Sequence, residues 1–419
     1  MSSSLVSLDG SAERTALPTE LWDLIFSSVP ARADLASLSA VSNAFYELAT
    51  RHLYRDLSLR RGIPTVQQCL VLARKPQLAR HVRSMTVIFG LDGVDRAGAS
   101  RTRSYARSPT EMFAPAYARL FFRVYNASAR LAALSLSSFL AFEECLTANL
   151  FRFPPLVDYF EVGARGPPGD ILNALPNVER LFMIKVFGCN IDNLSSSALP
   201  KLRSVRCSLR QAETLIPGRP VQEVALEATT LDLDHLPRVI DTLSLSTAPI
   251  QALDIKLRTF NLDTFGRIST AFPTLQEFVL TVLDVPQTGL FDLSPDELVT
   301  RGGFSRFVQL QTLEIHAFYG PLPATGWTVP LRPIIAQIGH ASRSLKSVTI
   351  VDRGTTHAHE AAVPSYRAVR LGKEWEAEMT YRNCRNRRSP LFAGYCGDFL
   401  YAMEVKPEEK YGRPQCFVM

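Results

Sequence analysis

His357, His359 and Glu360 fall within four residues and could turn two imidazoles toward one metal ion from an extended segment. They lack a third ligand nearby, and a polar loop accounts for them, so no metal is expected. Glu143-Glu144 and Glu408-Glu409 are neighbouring carboxylates that read as surface charge rather than as an acid–base pair. The chain has no G-x-S-x-G, no phosphate-cradling glycine loop and no H-E-x-x-H. No catalytic residue and no cofactor is therefore expected. One covalent signal remains: the ending "CFVM" places Cys416 in a C-a-a-X pattern read by prenyl transferases. A single lipid chain anchors weakly, and the preceding "EVKPEEKYGRPQ" balances its basic and acidic residues. Membrane contact is thus expected only through prenylation, and then only weakly.

The elements that carry function must be sought in a chain of 419 residues, long enough for two or three domains or one repeat array. Hydrophobic residues at 46% and charged residues at 21% suit a soluble globular protein. The net charge of +6 is spread over the length and gives no reason to expect a nucleic-acid partner. Seven scattered cysteines without a C-x-x-C pair read as reduced thiols in the cytoplasm or nucleus. The start "MSSSLVSLDGSAERT" lacks the basic and apolar regions of a secretory signal. No apolar run is long enough to span a bilayer.

Behind that tail comes "LPTELWDLIFSSVP". Pro18 suits the first helical position, Glu20 meets the positive end of the helix dipole, and Leu21, Leu24 and Ile25 share a face. Asp34 is expected to cap a second helix bearing Leu35, Leu38 and Val41. Ser42 or Asn43 caps a third with Phe45, Leu48, Ala49 and Leu53 on one side.

In order, these residues give an opening Leu-Pro, a Glu-Leu, an Ile-Phe pair, an Asp-Leu-x-x-Leu and a Val-Ser-x-x-Phe. Residues 17–59 thereby resemble an F-box, with Ser42 and Phe45 standing where many F-boxes carry Cys and Trp. The resemblance implies docking on a Skp-family adaptor and, through it, a cullin–RING ubiquitin ligase. It carries over to Leu17, Pro18, Leu21, Ile25, Leu35, Leu38, Val41 and Phe45 as adaptor-binding residues, some of which must instead form the unit's own core.

The rest of the chain repeats one phrase, apolar-x-x-apolar-x-apolar. It begins at Val82, Leu131, Val157, Val178, Leu202, Val221, Ile250, Leu275, Leu310 and Leu345. From Leu131 onward the steps are 26, 21, 24, 19, 29, 25, 35 and 35 residues. The phrase and its period resemble leucine-rich repeats, each unit adding a parallel strand and a returning segment. Together with the opening unit this is similar to fungal-type F-box proteins with degenerate leucine-rich repeats. The Asn or Cys that normally closes the phrase is missing, with Arg210 and Arg258 among the residues in its place, so an irregular solenoid is expected.

The expected organisation is an α/β chain: a tail (1–16), an F-box (17–60), the solenoid (62–353) and a C-terminal cap with tail (354–419). Residues 63–82 read as a bridging helix, 90–111 as an arginine-bearing surface loop, and 366–388 as a charged capping helix. Within each phrase the spacers point away from the core. That register offers Arg180, Phe182, Arg206, Glu223, Asp254, Lys256, Glu277, Glu314 and His316 to a substrate protein of mixed charge, as mostly solvated positions. A non-ligase interaction scaffold with a drifted F-box is the alternative, and an enzyme housed in the repeat is the weakest reading.

Overall fold

A computed structural model describes residues 17–60, 63–88, 109–137, 156–163, 172–184, 191, 193–226, 233–258, 262–282, 303–317, 338–352, 363–371 and 374–382. The chain divides into two compact units, Met1–Cys207 and Ser208–Met419.

The first unit opens with α1 (Thr19–Ser27), α2 (Arg32–Ser39) and α3 (Asn43–Leu53). Pro18 lies one residue ahead of α1, not at its first position. Its carbonyl accepts the Leu21 and Trp22 N–H groups at 3.1 and 3.3 Å. Helix α2 starts before Asp34, which sits in the first turn, favoured by the dipole rather than by a cap. Ser42 Oγ accepts the Phe45 N–H at 3.2 Å and caps α3.

The chain then alternates strands and helices: β1 (Asp56–Arg60), α4 (Ile63–Arg74), α5 (Pro76–Ala79), β2 (Ser84–Ile88) and α6 (Pro109–Ala127). Strands β3 (Ala133–Ser137), β4 (Tyr159–Gly163), β5 (Arg180–Ile184) and β6 (Ser204–Cys207) complete the unit. Each of these strands pairs in parallel with the next in sequence. Leu57, Met85, Leu134, Phe160, Leu181 and Val205 share one level of the ladder, and all are buried. The first residue of each phrase, two positions before the strand, is buried as well: Val82, Leu131, Val157, Val178 and Leu202. Val87, Leu136, Val162, Met183 and Cys207 are buried at the third position, so β2 to β6 stack through the same three apolar positions, as repeats require. Strand β1 belongs to this series although Tyr54 replaces the aliphatic residue that marks the phrase elsewhere.

In the second unit Ser208 and Gln211 form a capping box on α7 (Leu209–Leu215). Strand β7 (Glu223–Leu226), α8 (Leu236–Ser244), β8 (Ala252–Leu257), α9 (Leu262–Ala271), β9 (Glu277–Val282), β10 (Thr312–Ala317) and β11 (Ser347–Asp352) follow. Strands β7 to β11 pair in parallel in chain order, with Val224, Leu253, Phe278, Leu313 and Val348 buried at one level. Arg219 is buried beside α7 and caps it, Nη1 donating to the Thr214, Leu215 and Pro217 carbonyls at 2.9, 3.1 and 3.3 Å.

Where a capping helix is expected over 366–388, the described residues up to Arg382 form a hairpin, and 383–388 lie outside the described residues. Strand β12 (Val363–Leu371) pairs antiparallel with β11, and β13 (Glu374–Arg382) pairs antiparallel with β12. The reason stands in the sequence: "EWEAEMTYR" alternates polar and apolar residues with period two, which suits a strand and gives a helix no apolar stripe. Of the arginine-bearing stretch 90–111, the last three residues open α6 and the others lie outside the described residues. His357, His359, Glu360, Glu143, Glu144, Glu408, Glu409 and Cys416 lie outside them too. Among the described residues no helix is long and apolar enough to cross a membrane.

Candidate functional site

The three opening helices close a small core of Phe26, Leu35, Leu48 and Ala49, with Trp22, Val29, Leu38, Phe45 and Leu53 packed around it. Trp22, Phe26 and Phe45 meet as a ring cluster with centroids 4.8 to 6.4 Å apart. This sorts the eight residues that the motif singled out. Leu35, Leu38 and Phe45 belong to the core or its rim, and Leu35 is 5% exposed. Leu17, Pro18, Leu21, Ile25 and Val41 stay outside it, Val41 at 65% exposure.

Leu24, 66% exposed, joins Leu21 and Ile25 along one face of α1 at helical spacing, with the exposed Leu17 just ahead of the helix. Its place in that spacing was the signal that should have added it to the set. Tyr46 on α3 is also exposed, as are Val66, Leu70 and Val71 on α4. A unit this small has filled its core and still turns several large aliphatic side chains outward, a pattern that marks a surface for a partner.

An F-box-like family model matches residues 15–60. The chain carries an F-box-like domain. The match covers the three helices and β1, and ends within the first unit. No curated protein matches the chain.

The strand faces differ from the open, solvated row expected of the spacers. In the first unit Arg180 and Phe182 on β5 pack against β4. The Phe182 ring lies 5.2 Å from that of Tyr159, and the Arg180 guanidinium lies 5.7 Å from the same ring centroid. Tyr159 Oη donates to Glu161 Oε2 at 3.0 Å, and Arg180 also reaches Asp158 at 3.8 Å. Phe182 is buried and Arg206 half-buried. Aromatic and ionic contacts across neighbouring strands have drawn these side chains down onto the sheet.

In the second unit the register sets Glu223 and Glu277 at one level, on either side of Ala252. Asp254 and Glu314 lie at the next level on either side of Val279, and Lys256 and His316 follow beyond. Glu277 therefore has two diagonal carboxylate neighbours and a third two strands away. It is 5% exposed. Burial first, and then the charges of Glu314, Glu223 and Asp254, push its carboxyl up to about 7. His316 is 3% exposed, its Nε2 lying 2.6 Å from Glu314 Oε1. Phe182, Glu277 and His316 are thus buried rather than solvated, and Glu223, Asp254, Lys256 and Glu314 are half-buried.

A cleft between α8 and α9 is lined by Asp241, Asp263, Arg267, Thr270 and Arg306, with Arg306 Nη1 donating to Thr270 Oγ1 at 2.7 Å. Its charged groups are two carboxylates and two guanidiniums, an ordinary surface balance. Among the described residues no group of three or more His, Cys, Asp or Glu side chains could hold a metal ion.

Proposed function

We propose that the chain is the substrate-recognition subunit of an SCF-type ubiquitin ligase, its F-box-like unit docking a Skp-family adaptor and, through it, a cullin–RING complex. The observation that carries this reading is the exposed stripe Leu17, Leu21, Leu24 and Ile25 on a three-helix unit whose core is closed without them. Such a stripe is what a helix presents to an apolar groove. Leu35, Leu38 and Phe45 then act through the fold of the unit, and Leu17, Pro18, Leu21, Ile25 and Val41 make the contact.

In this reading the parallel strands are degenerate leucine-rich repeats, and their half-buried faces meet the target. Arg180 and Arg206 supply positive charge in the first unit. Glu223, Asp254 and Glu314 supply negative charge in the second, with Lys256 as its counterweight. The nucleophile for ubiquitin transfer belongs to another subunit, and this chain positions a target lysine. It works in the cytoplasm or nucleus. The test is assembly from purified parts: the wild-type chain should co-elute with adaptor, cullin and RING subunit. A Leu21→Asp/Ile25→Asp variant with unchanged circular dichroism should elute alone. Co-elution of that variant would refute the reading.

A further inference from the structure

Four arginines converge below the first three strands. Arg55 and Arg83 stand side by side immediately before β1 and β2, joined where the Arg83 N–H donates to the Arg55 carbonyl at 2.8 Å. The Arg83 carbonyl in turn accepts the Ala132 N–H at 2.8 Å, which places Arg130 two residues ahead of the same row before β3. Arg51 comes in from the last turn of α3. All four side chains are exposed. Among the described residues none of the four has an ion pair to a carboxylate. Further along the row come Asp158 and Glu179, which bound the basic stretch at β4 and β5.

The half-buried His81 reports how close three of these charges lie. Burial first, and then Arg51, Arg130 and Arg83, hold its imidazole below its ordinary value. Like charges gathered without an ion pair cost stability, and an anionic ligand would relieve that cost; Asp56, which opens β1, is an exposed carboxylate beside Arg55.

We propose that Arg51, Arg55, Arg83 and Arg130 form a binding site for an acidic peptide segment of a partner protein, lying across the N-terminal ends of β1, β2 and β3. Guanidinium forks take carboxylates two oxygens at a time. Three neighbouring strands span about 10 Å, the length of roughly three extended residues. A nucleic acid would call for stacking rings beside the charges, and a bilayer for apolar side chains to sink into it. Positions 51–55, 80–83 and 128–132 expose no large apolar residue. The site uses none of the α1 stripe, so it stands whether or not the adaptor reading does.

The test is fluorescence anisotropy of a labelled glutamate-rich peptide with the full chain, beside the same peptide carrying glutamine. Wild type should bind the glutamate form at least about tenfold more tightly, with affinity falling as salt rises. Arg83→Glu/Arg130→Glu should lose about tenfold or more of that affinity while adaptor binding is retained. Should that variant fold poorly, Arg83→Gln/Arg130→Gln decides the same question with a smaller loss. Unchanged peptide affinity in the folded variants would overturn the proposal. So would a single-stranded RNA or a phosphatidylserine vesicle that binds wild type more tightly than the peptide does.

Discussion

His52 Nε2 lies 2.9 Å from Asp23 Oδ1, tying the last turn of α3 to the middle of α1. This is a polar tie between the helix that bears the exposed stripe and the helix that holds the core. His52→Ala should cost about 1 kcal/mol, the usual net worth of such a bond. Chemical denaturation followed by fluorescence in a Trp327→Phe/Trp375→Phe background, where Trp22 alone emits, would report it. Asp23→Ala should cost a similar amount, and the double variant should show coupling between the two sites.

Phe26 and Leu24 stand two residues apart on α1 and should behave as opposites. Phe26 is 1% exposed at the centre of the ring cluster, so Phe26→Ala should destabilise the helical unit by about 3 to 5 kcal/mol. Leu24→Ala removes an outward side chain and should stay within about 0.5 kcal/mol. Hydrogen exchange over residues 19–53 would separate the two, with fast exchange for the first variant and wild-type protection for the second.

Glu277 should make the second unit less stable as pH rises. Its carboxyl is raised from 4.5 to about 7 by burial and by three neighbouring carboxylates, so the folded form holds a proton that the unfolded chain has given up. The stability this contributes is complete below about pH 4.5 and is lost as pH climbs through 7, an effect of about 3 kcal/mol. Glu277→Gln, which cannot ionise, should match wild type at about pH 4.5 and below and melt at a higher temperature above pH 8. Thermal melts of both proteins across that range measure the difference.

The strands were legible because each phrase repeats the same three buried positions, and that repetition outweighs irregular spacing. All ten phrase starts lead into a strand. Strand β1 escaped because an aromatic, Tyr54, took the place of the first aliphatic residue. The hairpin of β12 and β13 carries the charge density of an exposed helix, and only its period-two alternation marks it as strands.

The helical unit was legible as a motif, but the division between core and surface was not. Leu21 and Leu35 have the same side chain and both sit on amphipathic helices. Only the packing of α1 and α2 on α3 settles which of them faces out. Arg55, Arg83 and Arg130 are scattered in sequence and come into one row through parallel pairing, where the last turn of α3 adds Arg51.

Isothermal titration of a purified Skp-family adaptor into the full chain asks most directly whether the outward face of α1 is a docking surface. Leu21→Ala and Ile25→Ala should each weaken binding by at least about 30-fold, the effect of a buried anchor, while leaving the melting temperature unchanged. Wild-type affinity in both stable variants, or no heat of binding from the wild-type chain, would contradict the account.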